Sequence, residues 1–139
     1  MVVAVCIDDK NGMMFNKRRQ SRDKAQQTDL LNLCAGQTLW MNSYSAALFE
    51  GAEQVRVDDA FLEKAEKGEI CFVEDCSVKA VENCVEAVVL YRWNRTYPAD
   101  LRFDLDLTNF ALETVTEFDG SSHDTITREI YKRKEKTNG

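Results

Sequence analysis

Histidine is nearly absent from this chain: His123 is the only one among 139 residues. A metal centre built from converging imidazoles is therefore not expected. Long apolar runs are missing too. No stretch approaches the roughly 18 residues of a membrane helix. The apolar start Met1-Val-Val-Ala-Val-Cys-Ile7 is cut off by Asp8-Asp9-Lys10, too short for a secretory core and cleavage site. Positive charge is in deficit, with 18 Lys and Arg against 24 Asp and Glu, a net charge of −6 and a pI near 4.9. A grip on nucleic-acid phosphates would work against that field. Cysteines are few and odd in number (Cys6, Cys34, Cys71, Cys76, Cys84), mostly set in apolar patterns. That suits reduced thiols, and the Cys71-x4-Cys76 spacing is read as buried packing, not as a metal site. The expectations are a cytoplasmic protein with no metal, membrane or nucleic-acid partner.

What is present fits a soluble globular chain of single-domain length, 44% hydrophobic and 30% charged. Residues 2–7 read as a strand covered on both faces, followed by an Asn11-Gly12 turn. Residues 13–24 show no clear period, so this stretch is predicted as a loop; Lys17-Arg18-Arg19-Gln20-Ser21-Arg22 places four cations in it. A helix follows from about Asp23 to Ala35, with Leu30, Leu31 and Cys34 on one face and Gly36 to end it. Thr38-Leu-Trp-Met41 is a strand, Asn42-Ser43 caps a helix through 45–50, and Asp58-Asp59 open a helix over 60–67 closed by Gly68. Glu69-Ile-Cys-Phe-Val73 is a strand, residues 78–83 a short helical turn, and residues 85–91 another strand. Two alternating segments, 112–118 and 125–132, flank the turn cluster Asp119-Gly-Ser-Ser-His-Asp124 as an antiparallel hairpin. Alternating strands and helices finished by a hairpin predict an α/β fold with a mostly parallel central sheet and flanking helices. The expected organisation is one domain over 1–133 and a polar tail over 134–139.

Several local strings resemble dihydrofolate reductase. Ala4-Val-Cys-Ile-Asp8 with Asn11-Gly12 is similar to that family's first strand and the start of its active-site loop. Thr38-Leu-Trp-Met-Asn-Ser-Tyr-Ser45 is similar to the strand and helix start of its first cofactor-binding element. Glu69-Ile-Cys-Phe-Val-Glu-Asp75 occupies the place of a strand that ends there in a glycine pair. Val88-Val-Leu-Tyr-Arg92, Tyr97-Pro98, Asp104-Leu-Asp-Leu-Thr-Asn-Phe-Ala-Leu112 and the hairpin with Ser121-Ser-His123 complete the likeness. The C-terminal third carries it best.

The resemblance also implies losses. Where the family's glycine pair lets backbone amides approach the cofactor pyrophosphate, this chain has Glu74-Asp75, two carboxylates that repel it. The family's Gly-Arg-x-Thr string is replaced by Asn42-Ser43-Tyr44-Ser45, without the arginine. The span between Phe49 and Ile70 is short enough to have lost one strand of the adenine side. The family's loop proline and tryptophan give way to Arg18-Arg19-Gln20. Its catalytic carboxylate is matched by Asp29 if the helix is shortened by a turn, and by Gln26 if it is not. Tyr91 falls near its supporting threonine.

No bound cofactor is therefore expected, and the reading is a dihydrofolate reductase-like chain that has lost NADPH binding and folate reduction. Ligand-binding candidates are Arg18, Arg19, Arg22, Tyr44, Tyr91, Arg92, Trp93 and Arg95, with Arg102, Trp40 and Tyr97 nearby; arginine forks suit a small anionic ligand. Alternatively, the tryptophans are core and most of the arginines pair with the surplus acids. Two other readings stand beside binding: a reductase with a remodelled nucleotide site and Asp29 as its acid, or an interaction domain whose exposed sheet edge makes it a homodimer instead of a monomer. Turn chemistry accounts for the residues around His123, since neighbours within one turn do not form a triad.

Overall fold

The computed structural model describes residues 1–134, so the predicted tail lies outside the described residues from 135 onward. Ten strands are described: β1 (Val2–Ile7), β2 (Gly12–Phe15), β3 (Arg18–Arg19), β4 (Leu39–Met41), β5 (Val55–Val57), β6 (Ile70–Phe72), β7 (Ala87–Arg92), β8 (Leu101–Arg102), β9 (Phe110–Asp119) and β10 (Thr125–Arg133). The helices are α1 (Lys24–Leu33), α2 (Ser43–Ala46) and α3 (Phe61–Lys64), with 3-10 turns at Ala47–Phe49 and Lys79–Cys84. Seven strands form one sheet in the order β5-β4-β6-β1-β7-β10-β9, while β3, β2 and β8 form a small second sheet. The pairs β5–β4, β4–β6, β6–β1 and β1–β7 are parallel, and β7–β10 and β10–β9 are antiparallel. This is the mostly parallel sheet with a C-terminal antiparallel hairpin that the sequence predicts.

The unbroken apolar run of β1 puts it at the centre, because both of its faces must be covered. Val3, Val5 and Ile7 face a core completed by Val88, Leu90, Phe61, Val78 and Phe103. Ala4 faces the other core, with Phe72, Tyr91, Trp93, Ile126 and, from the helices, Leu30, Cys34 and Phe49. All five cysteines are free thiols. No helix among the described residues is long and apolar enough to cross a membrane.

Several local expectations are corrected. Of the stretch 13–24, expected as a loop, only 20–23 is irregular: before it β2 and β3 make a tight hairpin, pairing Phe15 with Arg18 across Asn16-Lys17, whose φ angles of +51° and +61° suit a primed two-residue turn. The segment between Phe49 and Ile70 holds one strand, β5, at the sheet edge, which does not contradict the expected loss of a strand from this segment. The helix expected over 60–67 stops at Lys64, because Ala65 is already extended and Gly68 turns the chain at φ +82°. The helix expected over 45–50 starts at Ser43, as its Asn42 cap dictates, and tightens to a 3-10 turn after Ala46.

Candidate functional site

The C-terminal ends of β4, β6, β1 and β7 share one edge of the sheet, where open α/β sheets hold ligands. Two buried carboxylates organise this edge. Asp8 follows β1 and accepts the amides of Lys10 (2.8 Å), Gly12 (2.7 Å) and Tyr97 (3.1 Å) and the Gln20 side chain (3.0 Å). Burial pushes its carboxyl up, and these donors outweigh burial and hold it below the usual range. Gly12 is required here, since a Cβ would sit 2.8 Å from the Asp8 carboxylate and 2.4 Å from Gln20 Nε2.

Asp23 caps α1 and gathers six donors: the amides of Ala25 (2.9 Å), Gln26 (3.2 Å), Ser121 (3.0 Å) and Ser122 (2.7 Å), the Ser121 hydroxyl (3.0 Å) and His123 Nδ1 (3.0 Å). It thereby ties the helix start to the β9–β10 loop. Burial acts to raise its carboxyl, but His123 and the amides of Ser121, Ser122 and Gln26 drive it far below the usual range. His123 is buried, stacks on Trp93 with centroids 4.5 Å apart and planes within 15°, and brings Nε2 to 3.0 Å from Ser21 Oγ and 3.2 Å from the Tyr97 hydroxyl. The sequence reading assigned His123 to turn chemistry. Two of its partners, Ser21 and Asp23, lie about a hundred positions upstream, and Trp93 and Tyr97 follow β7; the only local sequence signal is the Asp23 helix start.

Asp29 and Tyr91 do meet. The Tyr91 hydroxyl donates to Asp29 at 2.7 Å, and Arg128 Nη1 donates to both Asp29 oxygens at 2.9 and 2.8 Å. Burial first, then the bond to Asp29 and its charge, hold the Tyr91 phenol well above its ordinary range. With both oxygens engaged, Asp29 clasps α1 to the sheet. Arg128 gave no sequence signal beyond sharing the inward parity of Ile126 and Ile130. Gln26, the other candidate for the carboxylate position, is buried.

The arginines separate. Arg19 forks onto Glu74 at 2.9 and 3.1 Å and lies 4.3 Å over the Tyr44 ring, while Asp75 accepts the Asn42 amide at 2.7 Å. Arg18 and Arg22 are exposed and, with Arg19, Ser21 and Tyr44, line a cavity of about 310 Å³. Arg22 also lines a neighbouring cavity of about 530 Å³ with Asp23, Lys24, Gln27, Ala47 and Ser122. On the other side of Tyr44 a cavity of about 330 Å³ is walled by Asp75, Asp100 and Lys17. Arg92 does not join them: it alternates with Tyr91 and Trp93 to the opposite sheet face, where it pairs with Glu129 at 2.7 Å. Arg95 is exposed on the arm after β7, and its carbonyl accepts the Asp9 amide at 2.9 Å. Trp93 is core, and Trp40 packs on the opposite face with Nε1 bonded to Glu69 at 3.1 Å. Among the described residues no cluster of three or more His, Cys, Asp or Glu side chains is arranged to hold a metal ion.

No protein-family model matches the chain, and no curated protein matches it. Among solved structures it is similar to dihydrofolate reductase from Enterococcus faecalis complexed with NADP(H) and RAB-propyl, with a TM-score of 0.68 and 13% identity over 97% of each chain. The fold is dihydrofolate reductase-like.

Proposed function

From a dihydrofolate reductase-like scaffold, we propose that this chain binds a small anion at its arginine-lined edge and no longer takes a dinucleotide or reduces folate. One observation carries the reading: the cavities on the two sides of Tyr44 have opposite character. Arg18, Arg19 and Arg22 face one side with no carboxylate lining it, while Asp75 and Asp100 wall the other against the single cation Lys17. Arg19 forks onto Glu74, whereas Asp75 has no ion-pair partner among the described residues and is bonded by the neutral side-chain amide of Asn42. A phosphate charge brought within about 4 Å of such a carboxylate meets about 4 kcal/mol of repulsion at an effective dielectric near 20. Arg18 and Arg22 have no ion-pair partner among the described residues and can fork onto a phosphate or carboxylate.

Thermal shift separates the possibilities. An anion at a hundred times its dissociation constant adds about 2.7 kcal/mol of stability. Phosphate or a small carboxylate should raise the Tm, and Arg18→Gln with Arg22→Gln should remove the rise. A comparable rise with millimolar NADPH, or an anion shift indifferent to those substitutions, sinks the proposal.

A second reading rests on β9, whose residues 111–117 are all exposed at the sheet edge, including Leu112 and Val115 at 49% and 54%. A two-fold antiparallel register setting Val115 against the second copy's Thr114 would place Glu113 opposite Thr116, with no like charges facing. Sedimentation of a strict monomer across a hundredfold concentration range removes it.

A further inference from the structure

We infer that Ser21, His123 and Asp23 form a nucleophile, base and orienter that hydrolyse carboxylic esters bearing an anionic group. The anionic-group preference rests on the proposed arginine site; the relay itself does not. The chain of contacts is continuous: Ser21 Oγ to His123 Nε2 at 3.0 Å, and His123 Nδ1 to Asp23 Oδ2 at 3.0 Å. The two ends of the relay have the exposures their roles need. Asp23 and His123 are buried, so the imidazole is locked between a carboxylate and the Trp93 ring, whereas Ser21 is half-buried and lines the open arginine cavity.

The tautomer follows from the partner. Asp23 only accepts, so Nδ1 carries the hydrogen and Nε2 presents its lone pair to the Ser21 hydroxyl. A helix cap alone would need neither the stacked ring nor a serine on its far nitrogen. Arg18 and Arg22 share the cavity with Ser21, where a guanidinium can hold the substrate's anionic group or the oxyanion of a tetrahedral intermediate. Tyr97, 3.2 Å from the same Nε2, keeps the ring in place when the serine is acylated.

The step balances without a cofactor. Ser21 Oγ bonds to the carbonyl carbon as its proton passes to Nε2. The carbon–oxygen bond to the alcohol breaks and the alcohol leaves with that proton. Water then gives one proton to Nε2 and its hydroxide to the acyl carbon; the bond from that carbon to Ser21 Oγ breaks, Oγ takes the proton back from Nε2, and the acid leaves with Ser21 restored.

Two probes test this on the full chain. Phenylmethylsulfonyl fluoride carries no charge and reports only the activated serine; the p-nitrophenyl monoester of glutaric acid carries a carboxylate and reports turnover. Peptide mass spectrometry should find sulfonylation at Ser21 at least about 100-fold faster than at exposed Ser122, and His123→Gln should lower that rate by a similar factor. Release of p-nitrophenolate should fall about 100-fold in Ser21→Ala, a variant that keeps the Asp23 and Tyr97 contacts of His123. Should His123→Gln not fold, the Ser21→Ala comparison decides alone. Sulfonylation of Ser21 no faster than Ser122, or ester turnover unchanged in Ser21→Ala, overturns the relay. Rapid sulfonylation together with no anion-induced Tm shift would retain the relay and remove only the anionic preference.

Discussion

Asparagine in place of Asp23 changes one oxygen of a buried carboxylate that accepts six hydrogen bonds. With the remaining oxygen toward Ala25, Gln26 and Ser121, the new amide nitrogen faces the Ser122 N–H and His123 Nδ1. His123 can change tautomer, but the backbone donor cannot. One stranded buried donor costs about 1–3 kcal/mol, and charge-assisted bonds to the remaining oxygen weaken to neutral ones. Asp23→Asn should therefore lose about 3 kcal/mol. At about 2.1 cal/mol/K per residue the unfolding entropy of this chain is about 0.29 kcal/mol/K, so the Tm should drop by about 10 °C at pH 7. Calorimetry reads this directly. The native carboxyl is held low, so its stabilisation is complete above the unfolded value near 3.9 and is lost as pH falls below it. Consequently the gap between the two proteins should shrink below about pH 4. A Tm loss under 3 °C at pH 7, or a gap that widens with acid, refutes the account.

Arg128→Ala should cost about 2–3 kcal/mol in urea unfolding by leaving the half-buried Asp29 with only Tyr91; a loss below 1 kcal/mol would make the clasp a surface pair. Gly120→Ala should lower the Tm, because its Cβ would lie 2.5 Å from the His123 carbonyl and 2.7 Å from Asp23 Oδ2; an unchanged Tm contradicts the tight junction. With a thiol reagent at pH 8, exposed Cys84 should react first, while Cys34 and Cys71, buried and pushed up to about 12, should react only after denaturation.

The elements visible in the sequence were those whose signals are local. β1 declared itself by an apolar run, α1 by Asp23 before it and Gly36 after it, and the β9–β10 hairpin by alternation around a turn cluster. The β2–β3 hairpin stayed hidden because Lys17 takes a left-handed conformation that Gly or Asn usually fills, and because a two-residue strand has no period. At the site, Tyr91 and Asp29 were singled out and meet, and Arg18, Arg19 and Arg22 gather as a group. Arg92 failed on parity, since one step along β7 exchanges the faces of the sheet. The His123 constellation was illegible for another reason: its members are brought together by long-range topology, and no local spacing encodes it.

The position of β10 bears on how the chain folds as it is made. It is the last of the described strands yet lies inside the sheet, between β7 and β9. Until residues 125–133 are synthesised, β7 has an unpaired flank and β9 has no partner in the sheet. Completion of the sheet must wait for a late insertion between two strands already made, a non-local closure that slows folding. In that interval the open side of β7 can pair with another nascent chain. Crowded synthesis thus exposes a flank of β7 that the finished sheet covers.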